Sequence, residues 1–133
     1  MTPVFADSFF FFALLNQNDA AHEAAEKLAS ETSRPFVTTA WVLTEVADGC
    51  ATTEKRGVFL QLLDALRASP DARIIGPSEE LFSRGVDLYR QRSDKEWSLT
   101  DCLSFVVMGD ERISEALTGD HHFEQAGFVV LLR

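Results

Sequence analysis

Short runs of apolar residues alternate along the chain with longer segments in which apolar positions recur at helical spacing. The short runs predict five buried strands, at residues 3–6, 35–38, 72–75, 115–117 and 128–132. The longer segments predict seven helices, at residues 8–15, 20–30, 41–50, 54–68, 78–92, 99–108 and 121–125. Strands that alternate with helices are typical of a parallel sheet covered on both faces. The pattern therefore predicts a three-layer α/β/α sandwich around a mostly parallel five-stranded sheet.

Length and composition favour one domain with a substantial core. The chain has 133 residues, of which 46% are hydrophobic and 11 are phenylalanine, and it contains no linker or repeat. Residues 1–133 are therefore expected to form one domain. No apolar run reaches the ~20 residues of a membrane span, and the first residues do not resemble a signal peptide. Cys50 and Cys102 form no CxxC pair and fit reduced, partly buried thiols, so we expect a cytoplasmic protein.

The net charge narrows the range of functions. Twelve Lys and Arg residues against 21 Asp and Glu residues give a net charge of −9. A broad basic surface for duplex nucleic acid is therefore absent from the sequence, which argues against a protein that coats DNA. An enzyme that collects carboxylates around metal ions would show the same acidic balance.

Four acidic residues stand where such an enzyme would need them. Asp7 directly follows the first predicted strand, and Glu45 lies in the helix after the second. Asp101 opens the helix at 99–108, and Asp120 follows the fourth strand. In a parallel α/β sheet, the carboxyl ends of the strands and the starts of the following helices share one edge, where ligands bind. The sequence therefore predicts that the four carboxylates converge at that edge.

Carboxylates gathered in this way call for cations. Two of them ~5 Å apart repel by roughly 3 kcal/mol at an effective dielectric constant near 20, so a group of four would protonate in part or bind counter-ions. Oxygen ligands suit Mg²⁺ or Mn²⁺ rather than Zn²⁺. Two such ions can activate a water molecule and stabilise the leaving oxygen in phosphodiester cleavage. We therefore expect one or two Mg²⁺ or Mn²⁺ ions at this site.

Each acid also has a purely structural interpretation. Asp7 and Asp120 could cap the helices that follow them. Asp101 stands third after Ser98, which is the spacing of a capping box. Glu45 could be a helix glutamate that faces solvent. The case for a metal site therefore depends on the joint placement of the four acids.

Four segments resemble, in order, the four sequence blocks of the PIN-domain family. Val-Phe-Ala-Asp-Ser at 4–8 is similar to the opening block, an apolar strand that ends in Asp followed by a small hydroxyl residue. Thr-Thr-Ala-Trp-Val-Leu-Thr-Glu-Val at 38–46 and Ser-Leu-Thr-Asp-Cys-Leu-Ser-Phe at 98–105 resemble the second and third blocks. Leu-Thr-Gly-Asp-His-His-Phe at 117–123, followed by Ala-Gly-Phe, resembles the fourth. Order, spacing and length are similar to those of VapC-type toxins across nearly the whole chain.

The resemblance implies an endoribonuclease that uses Mg²⁺ or Mn²⁺ and serves as the toxin of a VapBC-type toxin–antitoxin pair. It also implies an RNA substrate, a cognate antitoxin that covers the site, and a homodimer. The metal-binding and catalytic acids would be Asp7, Glu45, Asp101 and Asp120. Ser8 and Ser104 would give polar support.

Two features depart from the family pattern or have several interpretations. The Phe9–Phe12 run is bulkier than usual after the first acid, and its rings could pack in the core, form a dimer interface or stack on bases. His122 stands where related sequences often carry another acid. With His121 it could bind metal or phosphate, although adjacent histidines on a short helix are more often surface residues.

The basic residues before the third block are candidate RNA contacts. Arg90, Arg92 and Lys95 could meet RNA phosphates, or they could belong to a solvated helix end. Trp97 beside them could anchor the loop, stack on RNA or pack against the fold.

Two other classes of function remain in consideration. A receiver-type signalling domain is also acidic and binds Mg²⁺, but it needs an acidic cluster after the first strand and a late lysine. This chain has only Asp7 at the first position and no lysine after Lys95. A catalytically silent PIN-like interaction module is the other alternative, and the presence of all four acids makes it less attractive.

Overall fold

Five strands form the central sheet, in the spatial order β3-β2-β1-β4-β5. The computed structural model describes residues 2–31 and 33–133. The strands are β1 (Val4–Ala6), β2 (Phe36–Thr39), β3 (Ala72–Ile75), β4 (Glu115–Leu117) and β5 (Val129–Val130). The helices are α1 (Ser8–Leu15), α2 (His22–Glu31), α3 (Ala40–Gly49), α4 (Arg56–Ala68), α5 (Glu79–Gln91), α6 (Leu99–Glu111) and α7 (His121–Gln125).

The observed elements confirm the predicted α/β/α architecture. Every strand pairing among the described residues is parallel, with Val4 opposite Phe36 and Phe5 opposite both Val37 and Ala116. The predicted bounds of β3, β4, α1 and α7 agree with the structure, and the other elements differ by one to three residues at their ends. The largest difference is at α6, which continues to Glu111 and ends where Arg112 adopts a left-handed conformation at φ 57°.

The direction in which the chain crosses the sheet changes between β1 and β4. From β1 the chain moves outward to β2 and β3, whereas β4 and β5 lie on the other side of β1. Ligands bind at such a switch point in open parallel sheets, in the crevice beyond the carboxyl ends of the strands. The backbone N–H of Asp7, which follows β1, donates to the carbonyl of Leu117 at the end of β4. Asp7 and the loop after β4 therefore border this crevice.

The Phe9–Phe12 run contributes two rings to the hydrophobic core. Phe10 and Phe11 are buried and pack edge to face, with ring centroids 5.5 Å apart, whereas Phe9 is partly exposed. Of the roles considered for this run, packing in the core is confirmed for its two central rings. Cys50 and Cys102 are free and buried, as expected. Within the described parts of the chain, no helix is long and apolar enough to cross a bilayer.

Candidate active site

Asp7 directs its carboxylate across the switch point of the sheet. It occupies the N-cap position of α1, but its side chain makes no capping hydrogen bond, so the interpretation of Asp7 as a helix cap is wrong. Instead, Oδ2 of Asp7 accepts a hydrogen bond of 2.9 Å from the hydroxyl of Thr118, which follows β4. Asp7 is only 3% exposed, and Thr118 is fully buried. The first acid is therefore held by a residue 111 positions away in the sequence.

Burial makes the charge of Asp7 costly. The loss of hydration raises the pKa of Asp7 from its ordinary value of 3.8 to about 7. Hydrogen bonds from the Thr118 hydroxyl and the Ser8 backbone oppose this rise, and the negative charges of Asp101 and Glu45 add to it. Three of the four predicted acids are thus close enough to interact electrostatically. A group that stabilises negative charge at this point would shift Asp7 toward its ionised form.

Glu45 is tied to the start of α1. It lies in the second turn of α3, is half-buried, and accepts a hydrogen bond at Oε1 from the hydroxyl of Ser8. The alternative in which Glu45 faces solvent is therefore wrong. The position of α3 is fixed in turn by Thr39, whose buried hydroxyl caps the helix by accepting from the Val42 N–H. Ser8, predicted as polar support, orients the second acid.

Asp101 is both a helix cap and a member of the acidic group. It forms a complete capping box with Ser98: the Ser98 hydroxyl accepts from the Asp101 N–H, and Oδ2 of Asp101 accepts from the Ser98 N–H. Asp101 is buried, at 8% exposure, and its negative charge contributes to the raised pKa of Asp7. The structural interpretation is correct for this residue, and it does not remove Asp101 from the site.

His122 is a member of the site that sequence reasoning did not assign to it. Its Nδ1 lies 2.9 Å from Oδ2 of Asp101 and 3.6 Å from Oδ1 of Asp120. In the absence of a bound cation, Nδ1 donates to Asp101 in this contact, because a carboxylate can only accept. The available signal was the departure from the family pattern, a histidine where an acid is common. The side chain of His121, by contrast, is largely exposed.

Asp120 caps α7 and reaches the other acids through neighbours. Its Oδ1 accepts from the His122 N–H, so the capping interpretation holds. Its own N–H donates to the Thr118 hydroxyl, which donates to Asp7. Thr118 therefore connects the first and fourth acids. The sequence motif contained Thr118, but nothing in its pattern indicated this role.

Ser104 was predicted as polar support for the acids. It is fully buried on α6, and its hydroxyl donates to the backbone carbonyl of Thr100, one turn earlier. The structure therefore gives this side chain a contact with the helix backbone. Its support of the acids stays a prediction.

The three predicted RNA-contact residues lie at and just beyond the end of α5. Arg90 is within 3.5 Å of Asp87, and Arg92 makes two hydrogen bonds to Asp94 while covering the Trp97 ring at 5.0 Å. Lys95 follows in a turn that is closed by a hydrogen bond from its backbone N–H to the Arg92 carbonyl. The arginines are thus engaged with carboxylates of the same segment.

Trp97 anchors the loop that leads to α6. It is 6% exposed, packs edge to face on Phe105 at 5.0 Å, and donates from Nε1 to the side-chain oxygen of Gln125. Of the interpretations considered for this residue, packing and loop anchoring are confirmed. Its burial leaves no face for an RNA base. The contact with Gln125 also ties the loop to α7, which carries His122.

Gly119, between Thr118 and Asp120, lies in close contact with Leu132 and Phe9. A methyl group at this position would lie 2.6 Å from the carbonyl oxygen of Leu132 and 2.7 Å from the Phe9 ring. We expect Gly119→Ala to lower the free energy of unfolding by ~1–3 kcal/mol, because the backbone oxygen cannot move away cheaply. Urea denaturation measures the effect. Gly109→Ala is the control: there the added methyl meets no described atom within 4 Å, and the variant should be neutral or slightly stabilised.

The two roles of Asp101 can be separated experimentally. Ser98→Ala removes the hydroxyl that caps α6 and leaves the Asp101 carboxylate in place. We expect a loss of ~1 kcal/mol in stability, the usual cost of removing a cap. Metal binding, followed by calorimetry, should change by much less than in Asp101→Asn. Equal loss of metal affinity in both variants would mean that the cap alone determines the behaviour of this position.

The donor set fits a divalent cation. The charges of Glu45 and Asp101 act on the buried carboxylate of Asp7, and this repulsion is the condition that a cation relieves. Asp120 is connected to Asp7 through Thr118 and to Asp101 through His122. Oxygen-rich sites of this kind suit Mg²⁺ or Mn²⁺. The residues that could hold an ion are therefore the four predicted acids, with His122 as an added donor.

Sequence comparisons identify similar proteins over almost the whole chain. The family model described as PIN domain matches residues 4–129. VapC20 of Mycobacterium tuberculosis, described as a 23S rRNA-specific endonuclease, is 30% identical over 132 residues, which cover 95% of each protein.

Structural comparisons also identify similar proteins over almost the whole chain. The crystal structure of VapC20 from Mycobacterium tuberculosis, described as a sarcin–ricin loop cleaving toxin, matches with a TM-score of 0.86 and 28% identity, covering 95% of this chain and 96% of that one. VapBC2 from Rickettsia felis, bound to a DNA fragment from its promoter, matches with a TM-score of 0.67 and 15% identity over 97% of both chains. FitAcB from Neisseria gonorrhoeae matches with a TM-score of 0.66 and 19% identity, covering 96% and 95% of the respective chains. At these lower identities the last two support the fold alone.

Proposed function

The chain belongs to the PIN-domain family, and from this premise we propose that it is an endoribonuclease dependent on a divalent cation. We further infer that it acts as the toxin of a VapBC-type pair and is inhibited by a cognate antitoxin. The observation that supports catalysis most strongly is the group formed by Asp7, Glu45 and Asp101 at the switch point of the sheet. A silent interaction module would have no need for a buried carboxylate whose pKa is raised to about 7.

The acids are proposed to hold Mg²⁺ or Mn²⁺. Asp7, Glu45, Asp101 and Asp120 would bind one or two ions, which when bound supply a polarised water and offset the charge on the cleaved phosphate. The remaining work falls to the protein's own side chains. Thr118 fixes the Asp7 carboxylate by donating to Oδ2, and Ser8 fixes Glu45. Because these acids are held before substrate arrives, little reorganisation is needed during the reaction.

Ionised Asp7 is the proposed acceptor of the proton from the attacking water. Without a cation its pKa of about 7 leaves a large fraction of Asp7 protonated near neutral pH, and only the ionised form can accept a proton. Nearby positive charge would lower that pKa and raise the ionised fraction. His122 keeps Asp101 oriented through the contact of 2.9 Å.

We propose RNA as the substrate and ribosomal RNA as the first target to test, because the relative VapC20 is described as specific for 23S rRNA. Arg90, Arg92 and Lys95 remain the proposed phosphate contacts. For the arginines this requires that phosphate replace Asp87 and Asp94 as their partners. A homodimer and a cytoplasmic location complete the proposal, and analytical ultracentrifugation tests the first.

The test is cleavage of purified ribosomal RNA, transfer RNA and messenger RNA by the full chain. We expect cleavage with Mn²⁺ or Mg²⁺ and none after chelation by EDTA. Asp101→Asn should lose most of this activity while retaining its fold. Asp64→Asn is the matched control, since it removes one exposed carboxylate on α4 without touching the site. A folded protein that cleaves none of the three RNAs with either ion would favour the interaction module. Equal cleavage in EDTA would exclude the metal-dependent mechanism.

A further inference from the structure

Two imidazole rings lie beside the carboxylates of the candidate active site. Asp120, His121 and His122 each offer one potential ligand atom, and these three atoms lie within 4.8 Å of one another. Nδ1 of His121 is 3.7 Å, and Nδ1 of His122 is 3.6 Å, from the same oxygen of Asp120, Oδ1. Atoms that share one ion at ~2.1 Å lie roughly 3–3.5 Å apart in tetrahedral or octahedral geometry. Small side-chain rotations therefore suffice to bring these donors around a cation.

The chemistry of these donors differs from that of the acidic group. Imidazole nitrogen suits Zn²⁺, Co²⁺ and Ni²⁺, whereas Mg²⁺ prefers oxygen and retains several waters. The chain has three histidines in all, and two of them are here. The third, His22, is engaged elsewhere: its Nδ1 lies 2.7 Å from the Ala13 carbonyl and its Nε2 lies 3.2 Å from Glu26.

We propose that Asp120, His121 and His122 form a mixed carboxylate–imidazole site for a divalent cation of the Zn²⁺ class. The inference rests on the proposed function, because this site supplies a second cation position beside the oxygen-rich one, and this second position prefers Zn²⁺ to Mg²⁺. His122 links the two positions, since the same Nδ1 that faces Asp120 lies 2.9 Å from Oδ2 of Asp101. A cation bound at Nδ1 would replace the proton that this nitrogen shares with Asp101. A separation of 2.9 Å is also that of adjacent ligands on one ion, so Asp101 can join the second position.

The exposed ring of His121 distinguishes a metal site from a hydrogen bond that only orients Asp101. A histidine that served only to orient Asp101 would need no second imidazole. The His121 side chain is 71% exposed, and its ring is tilted by 54° against that of His122, with ring centroids 4.5 Å apart. It is therefore free to turn its nitrogen toward a cation without disturbing the core. His122, at 20% exposure, is held more firmly.

The experiment titrates Zn²⁺ into the full chain in the presence of excess Mg²⁺, followed by calorimetry. Mg²⁺ occupies the oxygen-rich position, so the remaining heat reports the mixed site. We expect one Zn²⁺ to bind wild type under these conditions. His122→Ala should weaken binding by at least about tenfold, since loss even of an outer partner of a metal ligand typically costs 10- to 100-fold. Circular dichroism and melting without metal check that each variant is folded.

His121→Phe is the sharper variant. Phenylalanine keeps an aromatic ring against His122 and removes both ring nitrogens, so a loss of Zn²⁺ affinity cannot be assigned to the lost contact between the two rings. His22→Gln is the matched control and should bind Zn²⁺ like wild type. Co²⁺ gives a second measurement, because its visible absorption should lose intensity in His121→Phe. A thiolate charge-transfer band would instead assign the ion to Cys50 or Cys102 and overturn the proposal.

The outcomes distinguish this inference from the proposed function. Zn²⁺ affinity unchanged in both His121→Phe and His122→Ala overturns the mixed site, even if the protein cleaves RNA with Mg²⁺. Zn²⁺ binding that depends on both histidines supports the site, even if no RNA is cleaved, in which case only the proposed function fails. Zn²⁺ displaced completely by Mg²⁺ in wild type would show that the two ions compete for one oxygen-rich position, and would also overturn the inference.

Discussion

Asp7→Asn is expected to lower RNA cleavage by at least ~100- to 1,000-fold while the protein stays folded. The amide keeps the size of the side chain, and its oxygen can still accept from Thr118. It cannot carry the negative charge that the proposed cation and the attacking water require. Losses of this size are typical when one preorganised electrostatic group is removed from an active site. The measurement is single-turnover cleavage of labelled RNA at saturating Mn²⁺.

Asp64→Asn again serves as the control, because it makes the same chemical change at an exposed position on α4. Its cleavage rate should match wild type within about a factor of two. The melting temperature of Asp7→Asn without metal should equal or exceed that of wild type, since burying an amide avoids the cost of burying a charge. A folded Asp7→Asn protein with wild-type activity would remove Asp7 from the proposed mechanism.

The convergence of the acids could be predicted because it follows from topology. Asp7 and Asp120 each follow a strand, and parallel strands place their carboxyl ends along one edge. That rule needs only the order of apolar and helical segments, which the hydrophobic pattern supplies. It does not need side-chain conformations. The same reasoning brought Glu45 and Asp101 to the edge from the helices after β2 and before β4.

The contacts that hold the acids in place could not be predicted in this way. The contact between His122 and Asp101 depends on how the five-residue helix α7 docks beside α6 and on the rotamer of one ring. The hydrogen bond from Thr118 to Asp7 depends on a close approach of two strand ends that are distant in sequence. Periodicity reports which face of an element is buried, and it carries no information on such side-chain pairs.

Helix capping and membership of the acidic site, which the sequence presented as alternatives, are combined in single residues. Asp101 and Asp120 both cap helices, yet they belong to the same cluster as Asp7 and His122. A helix start places its free N–H groups at the sheet edge where the acids are needed, so one carboxylate can serve both purposes. A capping pattern in the sequence therefore does not argue against a site role.

Composition alone could not divide the phenylalanines between core and surface. The Phe9–Phe12 run was one candidate interface for the expected homodimer, but Phe10 and Phe11 are buried in the chain's own core. The large apolar side chains that remain exposed include Phe82 and Tyr89 on α5. The homodimer stays a prediction, and these two residues, rather than the Phe9–Phe12 run, are the ones to vary when it is tested.

The stability of the metal-free protein is expected to fall as the pH rises from about 4 to 7. The folded-state pKa of Asp7, about 7, lies above the ordinary value of 3.8 that applies to the unfolded chain, and burial is the main cause. Between these values the folded protein binds the proton more tightly, so its advantage is complete below pH ~4 and is lost as the pH approaches 7. About three pKa units correspond to at most ~4 kcal/mol.

Other carboxylates act at the acid end of this range. Ion pairs or hydrogen bonds with arginines hold the pKa values of Asp94, Asp110 and Glu115 below their ordinary values. Their contribution to stability is present above those ordinary values and is lost as the pH falls further. Because these groups are common to wild type and Asp7→Asn, they cancel when the two proteins are compared at each pH.

The measurement is urea denaturation of both proteins from pH 4 to 8, with a chelator present. Relative to wild type, Asp7→Asn should gain a few kcal/mol between pH 4 and 7 and no more above pH ~7.5. Saturating Mn²⁺ should reduce the fall in wild type, because a cation that binds the folded state favours the ionised carboxylate and stabilises the fold by mass action. Mn²⁺ should have a smaller effect on Asp7→Asn. Parallel stability curves for the two metal-free proteins would show that Asp7 is ionised at acidic pH in the folded state, and that burial does not control its proton affinity.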